Sequence, residues 1–111
     1  MPRDYKVYLD DIVEAAKRIA SYTTGLNQEQ FSTDAKTLDA VVRNLEVIGE
    51  AVKKVPLAVR QKYPAVEWKK IAGLRDILIH EYFGIDTDII WDVIKHKLPT
   101  LSKQVKQILK A

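Results

Sequence analysis

The sequence predicts an all-α protein, an antiparallel four-helix up-and-down bundle with short extra helices. Three observations predict it. Apolar residues recur at three- and four-residue steps through most of the chain, the spacing of one helix face. The 111 residues include only four glycines and four prolines, while 30% are charged and 47% hydrophobic, a composition rich in helix formers and poor in turn formers. No stretch shows the polar–apolar alternation of a half-buried strand. A chain of this length is predicted to be one domain, residues 1–111.

The first helix is predicted from Asp4 to Tyr22, with Tyr5, Tyr8, Leu9, Ile12, Ala16, Ile19 and Tyr22 along one face. Gly25 ends it. Asn27 can cap a short helical turn through Phe31, because its side-chain oxygen accepts a bond from an otherwise orphaned amide. Thr33 or Asp34 can do the same for the next helix, which runs to Val55 and stops at Pro56. The seam of this helix is Leu38, Val41, Leu45, Ile48, Val52 and Val55, alternating steps of three and four as in bundle packing. Arg43, Glu46, Glu50 and Lys53 form a second, charged stripe whose members can pair along the helix.

Pro56 and Pro64 bound a short helix. A longer one is predicted from Val66 through Trp68, Ile71, Leu74 and Leu78 to Phe83, where Gly84 offers the left-handed conformation that closes a helix. Asp86 or Thr87 caps "TDIIWDVIKHK", and Pro99 opens or kinks a final segment bearing Leu101, Val105, Ile108 and Leu109.

The sequence has no cysteine, which excludes disulfides, thiolate metal sites and a cysteine nucleophile. The stretch "MPRDYKVYLDD" lacks the apolar core of a signal peptide and no run is long enough to cross a bilayer, so a cytoplasmic protein with no membrane partner is expected. The net charge of +3 is unevenly spread. Residues 1–52 hold 6 basic and 9 acidic side chains, and residues 53–111 hold 12 basic and 6 acidic. A basic half permits a polyanionic partner such as RNA or DNA, although pairs such as Lys53-Lys54 and Lys69-Lys70 also suit a solvated face.

"GLRDILIHEYFGID", Gly73 to Asp86, places an arginine, an aspartate, a histidine and a tyrosine in an otherwise apolar helix. On a wheel of about 100° per residue, Arg75 falls among Trp68, Ile71, Leu74, Leu78, Ile79 and Tyr82. A guanidinium in such surroundings is costly unless a carboxylate, a phosphate or a polar interface receives its donors. An intramolecular pair with Glu46 or Glu50 is one answer. His80 lies about 140° around the helix from Arg75, but aligns with Asp76 one turn earlier, where a carboxylate can orient the imidazole. Arg75 and Tyr82 share the adjacent row. Taken singly, His80 also suits a carbonyl-bonded helix end, and Tyr82 a packed ring with its hydroxyl in water.

Arg75, four residues, His80, one residue, Tyr82: this spacing resembles the signature of the HEPN superfamily, in which a polar residue such as Asp76 often follows the arginine. "GLRDILIHEYFGID" is similar to the HepT-like branch in particular, and "LDAVVRNLEVIGEAVKKV", Leu38 to Val55, resembles that branch's preceding helix. The resemblance spans nearly the whole chain. It implies the HEPN fold and a metal-independent endoribonuclease, the toxin of a two-gene toxin–antitoxin pair. It implies no cofactor of the chain's own. The partner it implies is a minimal nucleotidyltransferase antitoxin, which uses ATP to transfer AMP to the motif tyrosine, here Tyr82. It further implies a homodimer or larger assembly in which the motifs of two protomers face one cleft that takes RNA.

On that resemblance His80 is assigned to proton transfer, Arg75 to phosphate binding and transition-state charge, Asp76 to orientation and Tyr82 to regulation. Arg43, Glu46 and Glu50 are candidate supporting residues. Such roles suit the residue types. RNA cleavage needs a base for the 2′-hydroxyl, an acid for the departing 5′-oxygen and positive charge for the transition state. The Lys53–Lys70 and Lys95–Lys110 regions are expected to guide the RNA backbone. The alternative reading is a noncatalytic helical module that docks to a nucleotidyltransferase and helps recognise its substrate.

Overall fold

A computed structural model describes residues 4–80 and 86–111, apart from the side chains of Arg75, Ile77, Ile79 and His80. Its described residues are helical, with no strand among them. In chain order they form α1 (Tyr5–Thr23), α2 (Gln28–Thr33), α3 (Ala35–Lys54), α4 (Leu57–Lys62), α5 (Trp68–His80), α6 (Thr87–Asp92) and α7 (Leu98–Lys110). A π-helical turn, Val93–Lys97, joins α6 to α7 without a break, so the last of the four long rods runs from Thr87 to Lys110. No helix among the described residues is long and apolar enough to cross a membrane.

The starts of the helices follow from polar side chains. Asp4 caps α1 by accepting the Lys6 amide at 3.0 Å. Asn27 and Gln30 form a reciprocal capping box on α2, each side chain accepting the other's backbone N–H at 2.8 and 3.0 Å. Of the two predicted caps for α3, Asp34 takes the role, accepting the Thr37 amide at 3.1 Å and the Thr37 hydroxyl at 2.7 Å. Asp86 rather than Thr87 caps α6, through the Asp88 amide at 2.9 Å. Between α1 and α2 the chain reverses at Gly25, whose φ of 79° lies in the left-handed region that favours glycine.

The core lies where the predicted seams meet. Val41, Leu45, Ile48, Val52 and Val55 are at most 1% exposed, and Leu38 packs against them partly buried. α3 packs on α1 through Leu9, Ile12 and Ile19 and on α5 through Trp68 and Leu78, while α7 closes on α1 with Leu101, Val105 and Ile108. At the end of the bundle where α2 and α6 meet, Phe31 is fully buried with its ring 5.2 Å from that of Trp91, and Gln28 donates to Asp88 at 2.6 Å.

Two expectations change, at the end of α1 and at the start of α5. Tyr22 is exposed, and the buried residue at the end of α1 is Thr23, whose hydroxyl donates to the Ile19 carbonyl at 2.9 Å and so enters the core satisfied. α5 begins at Trp68, two residues later than the periodicity predicts. Val66 is buried, but in the turn after Pro64, where the Trp68 indole donates to the Tyr63 carbonyl at 3.0 Å and pins the approach to the helix. The predicted extension of α5 to Phe83 and its closure at Gly84 lie outside the described residues. Finally, of the two roles read for Pro99 the first holds: it stands in the first turn of α7 and so opens that helix, directly after an irregular turn. A proline lacks an amide and crowds the carbonyl four residues before it. The preceding turn is widened, with the Leu98 amide donating to Val93, five residues back.

Asp34 holds its carboxyl below the usual carboxylate range, chiefly through the Thr37 hydroxyl and then the Thr37 amide. A depressed carboxylate stabilises the fold above its unfolded pKa, and that stabilisation is lost as pH falls through the folded value. Asp34→Ala is therefore expected to lower the thermal midpoint at neutral pH. The difference from the parent protein should close on acidification below the ordinary aspartate range, as followed by circular dichroism.

Candidate functional site

α5 holds three of the four motif residues. Its backbone carries Arg75, Asp76 and His80, so the helical spacing read from the sequence is the spacing in the fold: Asp76 and His80 stand one turn apart in one row, with Arg75 in the next. The side chains of Arg75 and His80 lie outside the described residues, as does Tyr82 altogether. The described anchor of the motif is Asp76. Its carboxylate accepts a bond from Lys53 Nζ of α3 at 2.9 Å.

That contact gives the charged stripe of α3 a direction. Glu46, Glu50 and Lys53 recur at steps of four and three and so share a face, and the Lys53 to Asp76 pairing sets that face beside α5. Glu46 and Glu50 are half-buried and Arg43 is exposed. Glu50 also approaches Lys54 at 3.9 Å. The stripe therefore borders the α3–α5 junction, and two carboxylates stand on the helix face that flanks the motif. Lys53 is the participant that sequence reasoning missed. It was grouped with its own helix, while Asp76 was matched only with His80. Aligning the seam of α3 antiparallel to that of α5 is the signal that brings the two ends together.

The opposite side of α5 has a different character. Ile71 and Leu74 border a cleft of about 390 Å³ floored by Leu45, Ile48 and Leu101, with His96 and Lys97 of the π turn at its rim. Leu74 and Asp76 are about 160° apart on the helix, so this cleft does not open onto the Asp76 row. At its edge Glu67 and Lys70 pair at 2.8 Å, which lowers the pKa of the glutamate and raises that of the lysine. His96 stands 3.9 Å from Asp92, one turn away on a solvated face.

An all-helical bundle of this kind, with Arg75, Asp76 and His80 carried by one helix, is consistent with the HEPN fold. The chain belongs to the HepT-like family, described as ribonuclease HepT-like, whose family model matches residues 12–108. Among its relatives, "Putative RNase MJ0127" of Methanocaldococcus jannaschii is 48% identical over 111 residues, covering 99% of this chain and 92% of that one. "Putative RNase TTE0752" of Caldanaerobacter subterraneus subsp. tengcongensis is 47% identical over 102 residues, covering 92% of this chain and 91% of that one. "Probable ribonuclease HepT" of Thermococcus cleftensis is 40% identical over 110 residues, covering 99% of this chain and the whole of the other. No solved structure matches the chain.

The Lys53 and Asp76 side chains are 38% and 52% exposed, so solvent screens the pair and its contribution to stability is small. A double-mutant cycle of Lys53→Met and Asp76→Asn, read by thermal denaturation, should give a coupling below about 1 kcal/mol. A larger value would show that the contact holds α3 and α5 together rather than orienting a carboxylate.

Proposed function

We propose that the protein is an endoribonuclease that cleaves RNA without a metal ion, acting as the toxin of a two-gene toxin–antitoxin system. The observation that carries this reading is the placement of Arg75, Asp76 and His80 on α5 in a chain of the ribonuclease HepT-like family. Its relatives' names, which describe RNases, support the same substrate class.

The chemistry follows from the residue types. His80 moves protons: one imidazole accepts the proton of the attacking 2′-hydroxyl, and a second, protonated one donates to the departing 5′-oxygen. One chain brings a single motif histidine. A homodimer with both motifs at one cleft supplies the pair, and it also gives the Arg75 guanidinium a polar setting that its own apolar arc does not. Arg75 clamps the phosphate oxygens with its planar fork and offsets charge as the phosphorane-like transition state forms. Asp76 orients the motif, with Lys53 fixing its carboxylate from α3. Glu46 and Glu50 flank the site, and Arg43, farther along α3, belongs to the same supporting set.

Regulation falls to Tyr82. Transfer of AMP from ATP to its hydroxyl by a minimal nucleotidyltransferase places a bulky anionic group beside the cleft, blocking RNA and cancelling local positive charge. The chain itself needs no cofactor for either step, and the cytoplasm is where RNA, ATP and the antitoxin meet.

Purified protein incubated with RNA in excess chelator should cleave it, and His80→Ala should lower the rate by about 10²–10⁴, the usual worth of a general acid or base. Arg75→Lys should also be strongly impaired, because a point charge does not reproduce the fork. Equal cleavage by parent and His80→Ala preparations would trace the activity to a contaminant and favour a noncatalytic module that docks to the nucleotidyltransferase.

Intact mass after incubation with that nucleotidyltransferase and ATP should rise by at least one adenylate. Tyr82→Phe should abolish the gain, and unchanged labelling of this variant would place the modification elsewhere.

A further inference from the structure

A second groove, about 740 Å³ in volume, runs between α1 and the π turn with α7, and no described residue of α5 lines it. Five lysines surround it: Lys17 from α1, Lys95 from the π turn, and Lys103, Lys106 and Lys110 from α7. All five are exposed. Its floor is apolar, with Ala20, Leu98 and Pro99. Its described lining contains neither an acidic residue nor an aromatic ring.

The contrast with several other cations of the surface is chemical. Four cations elsewhere stand beside acids: Arg18 with Glu14, Lys54 with Glu50, Lys70 with Glu67, Lys53 with Asp76. α7 has no aspartate or glutamate along its length, yet carries three lysines at steps of three and four on one face. Like charges at that spacing repel one another and destabilise a helix slightly, so an anion laid along the row relieves a strain that the fold does not relieve itself. Lys95 is held over the Trp91 ring, 4.6 Å from its centroid, which keeps its ammonium at the end of the row. From Lys103 to Lys110 the row rises about 10 Å along the helix axis, room for more than one phosphate of an extended strand.

We infer that this α1–α7 groove binds the phosphodiester backbone of single-stranded RNA, as a lysine track remote from the cleavage motif. The inference rests on the ribonuclease reading and deepens it. Charge complementarity selects a polyanion. The absence of rings from the described lining means that bases are not stacked there, so recognition tolerates any sequence and depends on salt. Because the described residues of α5 do not line the groove, a strand must extend beyond the scissile bond to reach it, and only long substrates benefit.

The test compares the parent protein with two triple variants that lose the same charge. Lys103→Gln, Lys106→Gln and Lys110→Gln remove the track, while Lys6→Gln, Arg18→Gln and Lys36→Gln remove three exposed cations outside it. Binding of a fluorescein-labelled single-stranded RNA is followed by anisotropy across a salt series, with circular dichroism confirming the fold. The track variant should bind at least about tenfold more weakly and show a salt slope shallower by about two, at about 0.7 per lost phosphate contact. The control variant should keep the parent slope. In cleavage, the track variant should raise KM for long RNA and cut a dinucleotide as well as the parent does. Parent-like binding by the track variant, in a protein that still cuts RNA, overturns the groove assignment and leaves the ribonuclease reading standing. Equal losses in both variants overturn it too, by reducing the effect to net charge. A parent protein that neither binds nor cuts RNA ends both.

Discussion

Everything in this fold hangs on the burial of one side of α3. Val41, Leu45, Ile48 and Val52 are shielded almost completely, and they are shielded by two different rods, α1 and α5. Each such side chain contributes about 1.5–3 kcal/mol when removed from water. No pair of these helices is sufficient alone, because a single partner covers only part of the stripe. The position of α5 is thus set by the same contacts that hold the domain together, and the motif residues are presented from a helix whose placement is decided by packing. That is the arrangement a preorganised site requires, since charged groups on a wandering segment lose the geometry that makes them useful.

The charged residues follow from that packing. Once Trp68 and Leu78 are turned into the core, helical spacing puts Asp76 on another face of α5, where Lys53 of α3 meets its carboxylate. The α3 stripe of Arg43, Glu46, Glu50 and Lys53 similarly follows the edge of its own buried seam. A polar border along an apolar junction is a place where charges can be brought together without being fully dehydrated, which avoids the large penalty of a buried ion. The 390 Å³ cleft across α5 is by contrast floored by hydrocarbon, and it lies away from the Asp76 row.

Much of this was legible in the sequence because helix seams and caps are local signals. Asn27, Asp34 and Asp86 announce helix starts through the reach of a short side chain, and the α3 seam is readable from steps of three and four alone. What was not legible depended on contacts between elements. Thr23 looks polar until its hydroxyl finds the Ile19 carbonyl, and Tyr22 looks apolar although it lies on the exposed side of α1. Val66 carries the correct hydrophobicity for a helix but belongs to the turn that Trp68 and Tyr63 fasten. At the site, spacing placed Arg75, Asp76 and His80 on one rod, whereas the identity of the residue facing Asp76 needed the register between rods. Lys17 was likewise invisible as a member of a basic groove, because its neighbours there are about eighty to ninety positions away in the chain.

The widened turn at Val93–Lys97 has a consequence for how the last rod is aimed. A π turn inserts one residue into the helical repeat, advancing the phase of all that follows by about 100°. Upstream of it, Ile90 and Trp91 face the α2 end of the domain. Downstream, Leu101, Val105 and Ile108 face α1. A single uninterrupted α-helix does not satisfy both directions, and Pro99 makes the irregular turn the cheaper conformation. One residue without an amide thereby acts as the gear tooth that lets a continuous rod serve two differently oriented walls.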